Sequence, residues 1–332
     1  CSLIAIVTSC VFAKALAVDY YVSSSEGSDT NNGLSPGNAF QSLDPLNALT
    51  LSAGDTVNFK AGDSWRGMFW PRGSASSASP IRITSFGNGS KPVIDGDGFQ
   101  ASILIFNDDG YEIENLELIN EASYLDVSGS AKKLNGFGGE ENDWGTGRNV
   151  RFGIKIVGNT RSLSYFRLSN IDIHDIYPTP TNASFTHQGY GIKFETQSDV
   201  SANNIYTISD VVMDGVSVSE TGHYGIWIRP LGLNNIDLYK HSEYALRNSY
   251  IYNTGGAGFV AVKVDNVLAE ENTIDGTGSS SDSRMWARGS GMWSFDSKNV
   301  VMQHNDVMNA RGPLDSYGIH IDYNNENVVV QY

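Results

Sequence analysis

The chain has 332 residues, 35 of them glycine, with 40% hydrophobic and only 18% charged residues. This is the composition of a turn-rich folded chain, and it excludes an intrinsically disordered one. The formal charge of −15, from 22 Lys and Arg against 37 Asp and Glu, argues against a nucleic-acid partner, because neutralising phosphates takes clustered cations; an anionic substrate would need its cations gathered at one site.

In chain order, "CSLIAIVTSCVFAKALA" comes first. An apolar run from Leu3 to Ala13, followed by Ala15 and Ala17 at the spacing of a cleavage site, reads as a signal peptide over residues 1–17. No initiator Met is present, so a truncated leading end is expected. "VTSC" before Cys10 offers lipoprotein anchoring as a lesser alternative. The run is too short for a membrane span. Both cysteines, Cys1 and Cys10, lie in this segment, so the mature chain is expected to lack disulfides, Cys-ligated zinc and thiol nucleophiles. The expected localisation is secreted, extracellular or periplasmic, with residues 18–332 forming one domain.

Next come a Tyr20–Val22 strand, a "GSDTNNG" turn, and "SLDPLNALTL" (Ser42–Leu51), the clearest helical signal, placed to cap an open N-terminal end. The acidic turns "DGDG" (Asp95–Gly98) and "NDDG" (Asn107–Gly110) offer some calcium ligands without a full set, so turn chemistry is the better reading; Ca2+ is the one cofactor the sequence suggests. From Gly153 onward a repeat appears: "GIKI" at Gly153, "GIKFE" at Gly191, "GIWIR" at Gly225, "GFVAV" at Gly258, "GMWSF" at Gly291 and "GIHID" at Gly318. The units are roughly 27 to 38 residues long, with further short strands between them, which describes stacked coils with loops of variable length. Asn170, Asn248, Asn272 and Asn305 recur near one turn, with Gly215 in that place once, and are expected to form a ladder of side-chain amides. The fold class is all-β, a parallel β-solenoid. "ENVVVQY" at the end reads as the start of another strand; because a bare solenoid edge invites strand addition, further coils are expected to follow, and the full-length protein is expected to be a monomer.

"DYYVSSSEGSDTNNGLSPGNAFQSL" and "AGDTVNFKAGDSW" (Ala53–Trp65) resemble the opening of secreted right-handed parallel β-helix proteins of the pectate-lyase-like superfamily. That superfamily includes polysaccharide lyases, alginate epimerases and β-helical glycosidases. The resemblance implies a right-handed helix and a carbohydrate substrate. It does not fix the family: the "DPHE" motif of the epimerases and the "NTD…GHG…RIK" set of polygalacturonases are absent.

With each repeat glycine at position zero, positions one and three alternate inward and positions two and four outward. The outward set is Lys155/Val157, Lys193/Glu195, Trp227/Arg229, Val260/Val262, Trp293/Phe295 and His320/Asp322, flanked by Lys263, Asp296, His187, Tyr190, His223, Tyr224, Arg288, Asp315 and Tyr317. Aromatic rings and cations on one outward ladder point to a polysaccharide groove. Lys155, Tyr190, His223, Trp227, Arg288, Trp293 and Tyr317 are its expected substrate contacts. Insertions around His187 and over "EENDWGTGR" (Glu140–Arg148) are expected to wall it.

Two chemistries compete for this groove. β-Elimination on an anionic, uronate-containing polymer needs a base and a cation for the enolate-like charge. Lys193, Arg229, Lys263, His223, His320 and Tyr317 are the right residue types, and this is the leading expectation. Lys193 has a blander role, as the salt-bridge partner of Glu195. Hydrolysis needs two carboxylates about 5–5.5 or 6.5–9.5 Å apart. Glu195 and Asp322, four coils apart at about 4.8 Å per coil, are too distant to pair, which leaves Asp296, Asp315 and Asp322. Epimerisation and non-catalytic glycan binding remain as further alternatives.

Overall fold

A computed structural model describes residues 16–121, 150–178, 188–233 and 240–332. The signal-peptide core, the Glu140–Arg148 loop and His187 lie outside them.

The chain winds through three parallel sheets, visiting them in fixed rotation. One representative coil runs Ile226–Leu231 in the third sheet, His241–Arg247 in the first, Tyr250–Thr254 in the second, and returns to the third at Phe259–Val262. Each strand pairs in parallel with its counterpart one coil before and one coil after. This is the expected β-solenoid: one coil cannot bury its own apolar face, but stacked coils share a continuous core. The core is a single column that includes Val57, Ile83, Ile113, Phe166, Val211, Tyr244 and Val300. Helix α1, Leu43–Ala48, falls within the expected segment; Ser42 caps it by accepting from the Asp44 N–H, and Leu43 and Leu46 join the core. Among the described residues no helix is long and apolar enough to cross a membrane. In the last coil the inward-facing Ile321 is 50% exposed.

The repeat glycines have a steric cause. They sit where each third-sheet strand crosses closest to the second sheet. A Cβ on Gly191 would lie 2.3 Å from Val218 Cγ1 and 2.6 Å from the Gly225 carbonyl oxygen; on Gly225 it would lie 2.9 Å from Ile251 Cγ2 and 2.7 Å from the Gly258 oxygen. One of the atoms in each case is backbone, which cannot swing away. Gly225→Ala is therefore expected to cost about 1–3 kcal/mol, the usual penalty of overpacking, read as a lower thermal midpoint; an unchanged midpoint would show that the crossing has room.

The asparagines form two lines rather than one. Asn170, Gly215 and Asn248 occupy a left-handed turn position together with Asn115, all with φ between 48° and 64°, and Asn170 donates to Asn115 Oδ1 at 2.7 Å. Asn272 and Asn305 fall one residue later, in register with Ser249, where the side chain turns inward. There Asn272 Nδ2 donates to Asn305 Oδ1 at 2.9 Å and to the Leu246 carbonyl at 3.0 Å. The ladder exists, but its turn line uses residues that tolerate positive φ, while its inner line satisfies buried backbone groups.

Candidate functional site

The third sheet differs from the other two in having stretches that are covered on both faces. Strands of the first and second sheets alternate buried and half-exposed positions, as in Ile208–Asp214, whereas Phe259–Val262 is buried throughout and Ala101–Phe106 nearly so. Beyond the core, the outer face carries two apolar clusters. One is built on Leu104, Phe152, Val157 and Tyr190, the other on Ala257, Val260 and Val262, and Tyr224 and Trp227 pack against both. A sheet covered on its outer side by aromatic residues is a binding face or a buried one.

The strand register confirms the expected outward ladder step by step. Lys155, Lys193, Trp227, Val260, Trp293 and His320 stand in one row. Glu195 stands beside Val157 and Arg229 in the next row, and Val262 beside Phe295.

The two ends of this ladder behave differently. At the N-terminal end the charges neutralise one another below the surface. Lys155 is 1% exposed, beneath the Phe152 ring at 4.6 Å. It is not a surface substrate contact, because the aromatic cover has taken that place. Burial pushes its ammonium down to about 7, with Lys193 adding to this and Glu195 opposing it. Lys193 pairs with Glu195, both almost wholly buried. Burial alone would raise the Glu195 carboxyl, but Lys193 and Lys155 outweigh it and bring it down to about 2. Lys193 lies 4.7 Å from the Trp227 ring centre. An ammonium held in a buried ion pair is not a free base, so the catalytic role expected of Lys193 is corrected in favour of the salt bridge.

Lys263 and Asp296 are likewise withdrawn from catalysis. Lys263 Nζ contacts Asp296 Oδ2. Lys240 Nζ donates to Asp296 Oδ1 at 3.1 Å and to its carbonyl at 2.6 Å, and Asn324 Nδ2 donates to Oδ1 at 2.8 Å. Both Lys263 and Asp296 are buried. Burial works to raise the Asp296 carboxyl, and the two lysines override it to hold it below its ordinary value. This cluster ties four successive coils together at a corner. Lys240 directly precedes His241, which pairs with Val264, so it stands on the same line as Lys263 one coil earlier.

At the C-terminal end the outer face opens into a groove of two joined pockets. One, of about 270 Å³, is lined by Tyr224, Trp286, Arg288, Gly289, Ser290, Trp293, Asp315, His320 and Asp322. The other, of about 470 Å³, is lined by Tyr190, Lys193, His223, Tyr224, Trp227, Arg229, Leu231, Val262, Trp293, Phe295 and Asp322. They share Tyr224, Trp293 and Asp322. Expected contacts Tyr190, His223, Trp227, Arg288 and Trp293 therefore line the groove, whereas Tyr317 is 63% exposed, edge-on to His320 and outside both linings.

In the smaller pocket the geometry is built around Ser290. Its hydroxyl lies 2.8 Å from the Asp315 carbonyl, which only accepts, so the hydroxyl proton goes there. The Tyr317 N–H and His320 Nδ1 then donate to the Ser290 oxygen, at 3.3 and 3.1 Å. With its proton on Nδ1, His320 stacks on Trp293 at 5.6 Å and 5° and turns Nε2 toward Asp322 Oδ2, 3.7 Å away. Asp322 is fixed by its own N–H to the Ser294 carbonyl at 3.0 Å and by the Tyr323 N–H to Oδ1 at 2.7 Å. Asp315 Oδ2 accepts from Arg288 Nε at 2.6 Å, and the same guanidinium lies 5.3 Å from the Trp286 ring centre. Asp315 and Asp322 thus flank one short strand, Ile319–Ile321, and both reach the same cavity. Such a pocket offers two carboxylates in different surroundings, one against a guanidinium and one beside an imidazole, with aromatic walls.

The model of the right-handed β-helix region matches residues 157–332, more than half of the chain. The chain belongs to that family. A curated relative, the lacto-N-biosidase of Bifidobacterium longum subsp. longum, is 24% identical over 87% of this chain and 22% of its own length. Among solved structures, the GH136 lacto-N-biosidase from Eubacterium ramulus superposes with a TM-score of 0.73 at 21% identity, over 95% of this chain and 55% of that one. An alginate lyase from Paenibacillus sp. str. FPU-7 gives a TM-score of 0.44 at 13% identity over 84% of this chain. The chain spans about half the length of the solved biosidase and about a fifth of the curated one. The β-helix fold with a right-handed turn is as the sequence resemblance implies.

Two residues of this β-helix site escaped the sequence reading. Ser290 occupies the register line of Tyr190 and Tyr224, directly before the repeat glycine, and could have been found from that spacing. Trp286, stacked on His223 at 4.1 Å, lies in an irregular segment with no register to read. The suggested calcium turns are occupied by protein partners: Asp108 accepts from Ser74 Oγ and Gly73 N, Asp109 pairs with Arg161, and Asp97 pairs with Arg66. Among the described residues no three His, Cys, Asp or Glu side chains gather as a metal site.

Proposed function

We propose that this chain carries the active site of a glycoside hydrolase acting outside the cytoplasm on oligosaccharides of the lacto-N-bioside kind, with Asp315 and Asp322 as its carboxylate pair. The observation that carries the reading is that these two carboxylates flank one strand and line one aromatic-walled cavity, while the lysines that elimination would use are tied into buried ion pairs. The two biosidases to which the chain is similar bear the name of this activity.

Asp315, held by the Arg288 guanidinium, serves as the charged partner of the developing oxocarbenium ion. Asp322, beside the Nε2 of a histidine whose Nδ1 proton is fixed by Ser290, gives a proton to the leaving oxygen as the glycosidic bond breaks, and the water that adds at the anomeric carbon returns its proton to Asp322. Trp293 and Trp286 give the sugar rings apolar faces to stack on. The test is a substrate panel of lacto-N-biosides, alginate and pectate. New reducing sugar from the lacto-N-biosides, with no unsaturated uronate from the acidic polymers, is expected. Ultraviolet-absorbing product from alginate or pectate would return the site to a lyase, and glycan binding without turnover would make it a binding solenoid.

A further inference from the structure

The larger pocket contains a cation that the hydrolytic mechanism does not use. Arg229 lies on the floor row of the third sheet, 5.2 Å from the Trp227 ring centre, and lines the cavity of about 470 Å³. Among the described residues it has no carboxylate within ion-pair reach. By contrast, Arg82, Arg161, Arg167 and Arg247 each hold a carboxylate. Most of the residues that line the cavity with Arg229 are aromatic or aliphatic, with Lys193, His223 and Asp322 as its other polar groups, so a charge there counts for more than on open surface. Lys193 reaches the same cavity and the same indole from the neighbouring coil, which adds positive potential even though Glu195 partly offsets it. At the far end, Asp322 joins this cavity to the carboxylate pair.

We infer that the larger pocket is a subsite for a sugar unit bearing an acidic group, a carboxylate or a sulfate, stacked among the groove's indoles with its anion on Arg229. The placement of this subsite beside the cleaved bond rests on the hydrolase reading; the binding of an acidic sugar does not. A guanidinium offers a fork of donors that fits either anion, and an indole offers a face for the sugar ring.

The experiment is ligand titration by NMR with matched methyl glycosides: methyl β-glucuronide, methyl β-glucoside and methyl β-galactoside 6-sulfate. The wild-type chain is expected to bind at least one acidic glycoside about tenfold more tightly than the neutral one, a difference of about 1.4 kcal/mol. The tighter of the two acids names the anionic group. Arg229→Gln is expected to bring the ratio to about one, and Arg229→Lys to restore part of it. Equal binding of acidic and neutral glycosides by the wild-type chain, or a preference that survives Arg229→Gln in a variant with an unchanged thermal midpoint, would overturn the inference. A chain that shows the preference but hydrolyses nothing would instead count against the hydrolase reading alone.

Discussion

Replacing either Asp315 or Asp322 with asparagine is expected to lower turnover by about 10²- to 10⁴-fold, the usual contribution of a positioned proton-transfer group, with little change in thermal stability. The two effects separate because these side chains are 48% and 44% exposed; neither fills the core, and neither leaves a buried charge behind. The control is Asp296→Asn. That change would strip Lys263 and Lys240 of their shared carboxylate inside a buried corner and is expected to lower the melting midpoint. If Asp296→Asn removes turnover at full stability while Asp322→Asn leaves turnover intact, the assignment of the carboxylates is reversed.

Glu195→Gln is expected to have the largest effect on stability. It would break the buried ion pair with Lys193 and leave that ammonium without its carboxylate, a defect that typically costs about 3–5 kcal/mol. The pH dependence follows from the directions of the shifts. The folded Glu195 carboxyl sits near 2, below its ordinary 4.5. Its contribution is therefore present above the ordinary value and is lost as pH falls toward the folded one. Lys155 is displaced downward on the alkaline side, to about 7 from 10.5. Between those values the unfolded chain binds a proton that the folded chain does not, so stability rises with pH across that window. Wild-type stability should therefore fall at the acid end and climb from neutral toward alkaline pH. Glu195→Gln should shrink the acid limb, with Asp296 and the other lowered carboxylates keeping the remainder. Chemical denaturation across pH checks both limbs, and an acid limb unchanged in Glu195→Gln would place its origin wholly in those other carboxylates.

Much of this architecture was legible in the sequence because a solenoid writes its periodicity directly. The alternation after each repeat glycine separated Ile192 and Phe194 from Lys193 and Glu195 without error, since a parallel ladder in register cannot exchange its faces. The pairing of Lys193 with Glu195 was also readable, because residues two apart on a strand share a face. What could not be read was burial on the outer side. Lys155 looked like a groove cation only so long as Phe152 was not known to cover it. The asparagine repeat was read one residue out of line, because sequence alignment does not distinguish a left-handed turn residue from the inward residue after it. Lys263 and Asp296 are tied to Lys240, which stands one coil earlier on the same line but was not among the outward residues read after the repeat glycines.

The site was partly legible for the same reason. Asp315 and Asp322 were visible as carboxylates near one strand, but their common cavity depends on the irregular segment before Gly318 and on Ser290, which orients both the Asp315 backbone and the His320 ring. What weighs against the lysine-based elimination chemistry read from the ladder is pairing, not position: Lys193 and Lys263 are where they were expected, each tied to a carboxylate.

The most direct measurement is cleavage in water enriched in heavy oxygen, followed by mass spectrometry of the products. Hydrolysis breaks the glycosidic bond and adds one water across it, so the new reducing-end sugar should carry one solvent oxygen at its anomeric carbon. That label should disappear with Asp315→Asn or Asp322→Asn. A product without label, lighter by one water and carrying a carbon–carbon double bond, would mean elimination and would contradict the hydrolytic account.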